Sequence, residues 1–145
     1  MVFQWPQSRN RTREDLDIRL EHVKIERVTK FKFLGVTLDQ DMSWNSHYSE
    51  LCNKLSTVSG LLGKLKNILP QDILLTIYNS LFQSRTTYGI TAWGFHDSKR
   101  LTILQKKAVR HVSKSKYNSH SEPIFKKLNL LKIQDLFNIS CLKIY

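Results

Sequence analysis

The sequence predicts an α+β chain, a small antiparallel β unit over residues 1–41 followed by a helical bundle. Two observations predict it. Apolar residues recur at every second position before Trp44 and at three- and four-residue intervals after it. Glycine and proline are scarce, at five and three of 145 residues, so the chain reads as folded throughout. A chain of this length buries roughly 70% of its unfolded surface, enough for one core and a small appendage.

Leu16, Ile18 and Leu20 alternate with charged residues, and Val23 and Ile25 repeat the alternation. This reads as two strands with Glu21-His22 at the hairpin turn between them. Ahead of them, residues 6–15 form a polar, arginine-rich loop leading from the short apolar Met1-Val2-Phe3. A third run over 30–39 sets Phe31 and Phe33 on one face, then Leu34, Val36 and Leu38 on the other. The parity flips beside Gly35, which predicts a bulge or a place where backbone comes close to something.

Helices begin after Trp44. Tyr48, Leu51, Cys52, Leu55, Val58, Leu62 and Leu65 form one apolar stripe of about five turns, weakened near its end by Gly60 and Gly63. Pro70 falls at a first helical position. Beyond it, the adjacent stripes Ile73, Ile77, Leu81 and Leu74, Tyr78, Phe82 predict the most buried helix. The tract Tyr88-Gly89-Ile90-Thr91-Ala92-Trp93-Gly94 closes that helix, with Tyr88 and Trp93 read as packing residues rather than base-stacking ones. Asp97 or Ser98 then offers an N-cap for a third helix with Leu101, Leu104, Ala108 and Val112 inward. Its opposite face carries Lys99, Arg100, Lys106, Lys107, Arg110 and Lys114. A polar loop over 113–121 precedes a short helix near Ile124, Phe125 and Leu128, and a last helix covers 136–144. The bundle proper is assigned to 42–116 and a further helical segment to 117–145.

Charge is the compositional outlier. The formal net charge is +11, yet residues 1–50 hold eight basic and eight acidic groups, so all the excess lies beyond Leu51. A polyanion is the natural partner of such a surface, and a merely solvated surface is the alternative.

Several classes of chemistry lack their residues. Asp15-Leu16-Asp17 opens a strand and Asp39-Gln40-Asp41 ends one, where carboxylates are ordinary turn formers rather than a two-metal site. The five histidines show no i, i+4 pair and no cysteine at zinc spacing. No glycine-rich phosphate loop or nucleophile elbow is present. No catalytic residue, metal ligand or cofactor is therefore assigned to this chain. Cys52 and Cys141 read as small apolar residues in a reducing compartment. With no apolar run of about 18 residues and no signal architecture, an intracellular, membrane-free location is expected.

The phrase Phe31-Lys32-Phe33-Leu34-Gly35-Val36-Thr37-Leu38-Asp39, followed by Trp44, resembles the segment after the catalytic palm in reverse transcriptases of non-LTR (LINE-like, jockey-type) retrotransposons. Three further phrases look like landmarks of the same family in the same order. They are the tract 88–94, Leu104-Gln105-Lys106-Lys107-Ala108-Val109-Arg110, and Glu122-Pro123-Ile124-Phe125-Lys126-Lys127-Leu128-Asn129-Leu130-Leu131. Met1-Val2-Phe3 is similar to the family's last palm strand. The resemblance implies the end of a palm over 1–41, a thumb-like bundle over 42–116 and a post-thumb segment over 117–145. It also places Phe33, Leu34, Gly35 and Val36 on a primer-grip-like loop, where a residue without Cβ lets backbone approach a phosphate or ribose. The implied partners are an RNA–DNA or RNA template–primer duplex and the fingers and palm of the parent polymerase. The family's Tyr/Phe-x-Asp-Asp turn is absent here, so Mg²⁺ and catalysis belong to the parent enzyme and this chain alone is expected to be inactive. The competing reading is a stand-alone nucleic-acid-binding or scaffolding protein derived from such an element. A membrane-surface role is disfavoured, because the faces opposite the basic residues are needed for a core.

Overall fold

The computed structural model describes residues 18–95 and 99–144. The chain divides into two units, Met1–His47 and Tyr48–Tyr145. The expected Met1-Val2-Phe3 strand, the 6–15 loop, Leu16, the Asp15 and Asp17 pair, His96 and the Asp97 or Ser98 cap lie outside the described residues.

In the first unit, β1 (Arg19–Leu20) pairs antiparallel with β2 (Val23–Lys24), Leu20 standing opposite Val23. The Ile25 N–H donates to the Ile18 carbonyl at 2.8 Å and extends the pairing. Glu21 and His22 both have positive φ, 52° and 91°, as a two-residue hairpin turn requires.

The 30–39 run departs from its reading as one bulged strand. It is itself a hairpin, β3 (Lys30–Phe33) and β4 (Val36–Asp39), with Phe33 opposite Val36 and Phe31 opposite Leu38. Leu34 and Gly35 at φ 47° and 82° form its two-residue turn. Cross-strand partners share a face, so Phe31, Phe33, Val36 and Leu38 lie on one side rather than two. A two-residue reversal and a bulge both shift the parity of an apolar pattern, and only the pairing separates them.

Beyond β4 the carboxylates act as turn and cap groups. Asp39 Oδ2 accepts the Ser46 N–H at 2.9 Å, and Asp41 Oδ1 accepts the Ser43 N–H at 3.1 Å. The Ser43 side chain and, after it, this backbone bond hold the Asp41 carboxyl below its ordinary pKa. Asp39 thereby ties the end of β4 to the first turn of α1 (Asn45–Leu65).

The helical unit is built around the stripe the sequence predicts. Leu51, Cys52, Leu55, Val58 and Leu62 of α1 are buried, while Tyr48 and Leu65 are half-buried. Both cysteines are free thiols, and burial pushes that of Cys52 up in pKa. Next come α2 (Gln71–Ile77), a π-helical segment Tyr78–Gln83 and α3 (Ser84–Thr87), which run on continuously. Pro70 is the extended N-cap, one position earlier than its sequence reading. Leu74, Tyr78 and Phe82 are fully buried, with the Tyr78 and Phe82 rings stacked at 5.1 Å. The companion stripe is not core, since Ile73 is exposed and Ile77 and Leu81 are half-buried.

Side-chain hydroxyls crowd the ladder of this continuous helix. Thr76, Ser80, Ser84, Thr86 and Thr87 each donate a hydroxyl to a carbonyl one turn back. Such hydroxyls compete for the carbonyls of the helical ladder and distort it. Gly89, at φ 61°, ends α3 and opens α4 (Ile90–Trp93). Trp93 is buried and its Nε1 donates to the Tyr88 carbonyl at 3.0 Å, whereas Tyr88 is exposed. Of the two aromatics only Trp93 packs in the core.

Three helices complete the unit: α5 (Lys99–Val112), α6 (Ser121–Lys127) and α7 (Ile133–Leu142). Helix α5 packs against α2, α6 and α7. It buries Leu101, Gln105, Ala108, Val109 and Val112, and Leu104 is only half-buried. The glutamine, 1% exposed, takes the inward place that the sequence assigns to Leu104. Its Nε2 donates to the Tyr78 hydroxyl at 3.1 Å and the Leu131 carbonyl at 2.9 Å, and its Oε1 accepts the Ile133 N–H at 3.1 Å.

Gln105→Leu keeps the volume and strands those three partners. It is expected to destabilise the chain by about 2–4 kcal/mol, against about 1 kcal/mol for Tyr78→Phe, which removes one bond. Guanidinium unfolding of both variants measures the difference, and equal effects would show that the amide holds nothing together.

Candidate nucleic-acid interface

A helix turns about 100° per residue, so the positions of α5 can be placed around its axis. Lys99, Arg100, Lys106, Lys107 and Arg110 fall within roughly a third of the circumference, opposite the buried Gln105, and Lys114 follows just beyond the helix end. Lys99, Arg100, Lys107 and Lys114 are exposed, and Lys106 and Arg110 are half-buried. Ile103 sits in the same arc and is 66% exposed, a position the apolar pattern alone does not single out. His111 lies at the edge of the arc, where a Cβ on Gly63 of α1 would come within 3.2 Å of its ring. Burial lowers the His111 pKa, and Lys66 and Lys107 push it the same way. The imidazole is neutral at neutral pH, so lysine and arginine supply the charge of this face.

Each end of α5 is tied down. At the start, the Leu101 N–H donates to the Tyr48 hydroxyl at 3.3 Å, and the Arg100 guanidinium reaches Asn53 Oδ1 at 3.4 Å. At the end, the Ser115 N–H donates to the Arg110 carbonyl at 3.0 Å and the Lys114 N–H to the His111 carbonyl at 3.2 Å. This is a Schellman cap with Lys114 in the left-handed position, φ 55°, where glycine is the easier residue. Arg110 has a second role, because its Nε–H donates to the Ser119 carbonyl at 2.9 Å and anchors the following loop.

In the other unit, Phe33, Leu34, Gly35 and Val36 come together at the tip of the β3–β4 hairpin. Phe33 is 56% and Leu34 73% exposed, and Val36 is half-buried. Leu34 holds a left-handed conformation that asparagine or glycine fills at lower cost. Each candidate set is thus assembled by its own unit, four residues on one hairpin tip, and five on one helix face with Lys114 at its end. Among the described residues no group of three or more His, Cys, Asp or Glu could hold a metal ion. No described helix is long and apolar enough to cross a membrane.

Curated proteins that match the chain include RNA-directed DNA polymerases of mobile elements from Drosophila melanogaster. The polymerase of mobile element jockey is 26% identical over 133 residues, 87% of this chain and 14% of its own length. The probable polymerases of transposons BS and X-element are 23% and 24% identical, covering 81% and 83% of this chain and again 14% of themselves. The chain is a distant relative of these enzymes and spans a small part of their length. No family model matches it. No solved structure matches it either.

The Lys114 cap generates a stability test. Lys114→Gly is expected to raise stability by about 1 kcal/mol, because it relieves a left-handed L-residue without touching the core. The guanidinium midpoint reads this directly, and a lowered midpoint would mean that the lysine side chain stabilises the cap.

Proposed function

We propose that this chain grips a nucleic-acid duplex as the region following the palm of a non-LTR-type RNA-directed DNA polymerase. The observation that carries the reading is the α5 face, with five basic side chains in one arc and Lys114 just beyond the helix end, opposite the buried and fully hydrogen-bonded Gln105 amide. The distant relatives are polymerases of mobile elements, and the four ordered sequence phrases fit the same assignment. In this reading α5 is part of a thumb. Its lysines and arginines pair with phosphates of a template–primer duplex, which fixes position without reading sequence.

The hairpin tip plays the part of a primer grip. At Gly35 the absence of a Cβ leaves the backbone N–H groups open to a primer phosphate or ribose, while Phe33, Leu34 and Val36 supply apolar contact to the sugar. The metal-dependent nucleotidyl transfer falls to the parent enzyme's palm, to which the β unit joins. The exposed apolar side chains of both hairpins are what such a junction covers.

Each phosphate neutralised releases condensed counterion, so affinity for an RNA–DNA hybrid is expected to fall steeply with salt and to vary little with sequence. Changing Lys106 and Lys107 to Ala removes two contacts and lowers the salt slope by about two, with the helix intact. Arg110 is left in place because it also anchors the loop. The same double change at the exposed Lys126 and Lys127 of α6 is the control. Equal losses would leave only a diffuse positive field, and the absence of binding by the unaltered chain would defeat the proposal.

A further inference from the structure

We infer that the loop after α5 carries a stacking site for an unpaired nucleobase, with Tyr117 as its platform. The inference rests on the reading of α5 as a duplex grip and adds the single-stranded part of the ligand. Tyr117 is 77% exposed, so its ring has no place in the core. Lys114 and Lys116, both exposed, precede it in the chain.

The support under this ring is ordered. Tyr117 is the second residue of a turn in which the Ser119 N–H donates to the Lys116 carbonyl at 3.1 Å. Before the turn, the Ser113 and Ser115 hydroxyls bond at 2.7 Å, and the Ser113 hydroxyl also donates to the Arg110 carbonyl at 3.2 Å. After it, the Ser119 carbonyl accepts the Arg110 Nε–H at 2.9 Å. The loop is thus bonded at both ends to the last turn of the basic helix. A ring held in this way binds without first ordering its own backbone, which lowers the entropic cost of association.

The chemistry selects the ligand. A large exposed π-face on a loop that also carries two exposed lysines suits a base whose own face is uncovered and whose neighbouring phosphates are anionic. Inside a duplex those faces are covered by adjacent base pairs, whereas a base beyond the paired region leaves its own face open. The ligand is therefore a hybrid duplex with a single-stranded extension.

Fluorescence anisotropy of the full chain with two RNA–DNA hybrids, one blunt and one carrying a short single-stranded extension, tests this. The unaltered chain should bind the extended hybrid about 5- to 150-fold more tightly, the range a single stacked base provides. Tyr117→Ala should erase that preference while leaving blunt-hybrid affinity and its salt slope unchanged, and Tyr117→Phe should retain it. If Tyr117→Ala keeps the preference, or weakens both hybrids equally, the stacking site is refuted. If the unaltered chain binds both hybrids without preference, this inference fails and the duplex grip stands. If it binds neither, the duplex grip fails as well.

Discussion

One buried amide sets the rotation of α5 and with it the surface this unit presents. Apolar contacts alone tolerate small rotations of a helix, but hydrogen bonds are directional. Gln105 uses both its amide donors and its carbonyl, on Tyr78, on Leu131 and on Ile133. These bonds join α5 to the π-helical segment and to the start of α7. Burial pushes the Tyr78 hydroxyl up to about 12 in pKa, so the phenol stays neutral at this junction. With Gln105 inward, helical geometry leaves Lys99, Ile103, Lys107 and Arg110 pointing away from the core. The charged face is a consequence of the polar clamp beneath it.

Both candidate contact regions also place an unfavourable residue in a left-handed position. Helix α6 supplies the comparison. It ends in the same Schellman geometry as α5, with the Leu130 N–H on the Phe125 carbonyl at 2.9 Å and the Asn129 N–H on the Lys126 carbonyl at 3.2 Å. There the left-handed residue is Asn129, a common substitute for glycine. On α5 it is Lys114, which adds a charge to the basic arc, and at the hairpin tip it is Leu34, which adds an exposed apolar side chain. Glu21, His22, Met42 and Trp44 hold the same conformation elsewhere in the first unit, so it is not a mark of the contact regions alone.

The sequence is most readable where periodicity alone decides. The α1 stripe, the two-residue turn at Glu21-His22 and the last two helices follow directly from spacing and turn position. The misreadings have specific causes. Leu104 looks like core because it is apolar, but the inward place belongs to Gln105, whose partners on the π-helical segment and α7 are distant in the chain. Ile73 looks like core beside Leu74, yet the continuous helix buries only the Leu74, Tyr78 and Phe82 stripe. Parity over 30–39 cannot separate a bulge from a hairpin until the pairing of Phe33 with Val36 is known. The five basic residues of α5 are readable as one face, whereas the loop anchor made by Arg110 depends on a contact nine residues away that carries no local signal.

The orientation of α5 toward a polyanion is measured most directly by lysine footprinting of the full chain with and without an RNA–DNA hybrid. Acetylation rates at Lys99, Lys106, Lys107 and Lys114 should fall when the hybrid binds, while those at Lys126 and Lys127 on α6 stay near their unbound values. Protection spread evenly over all six, or concentrated on α6, would contradict the account.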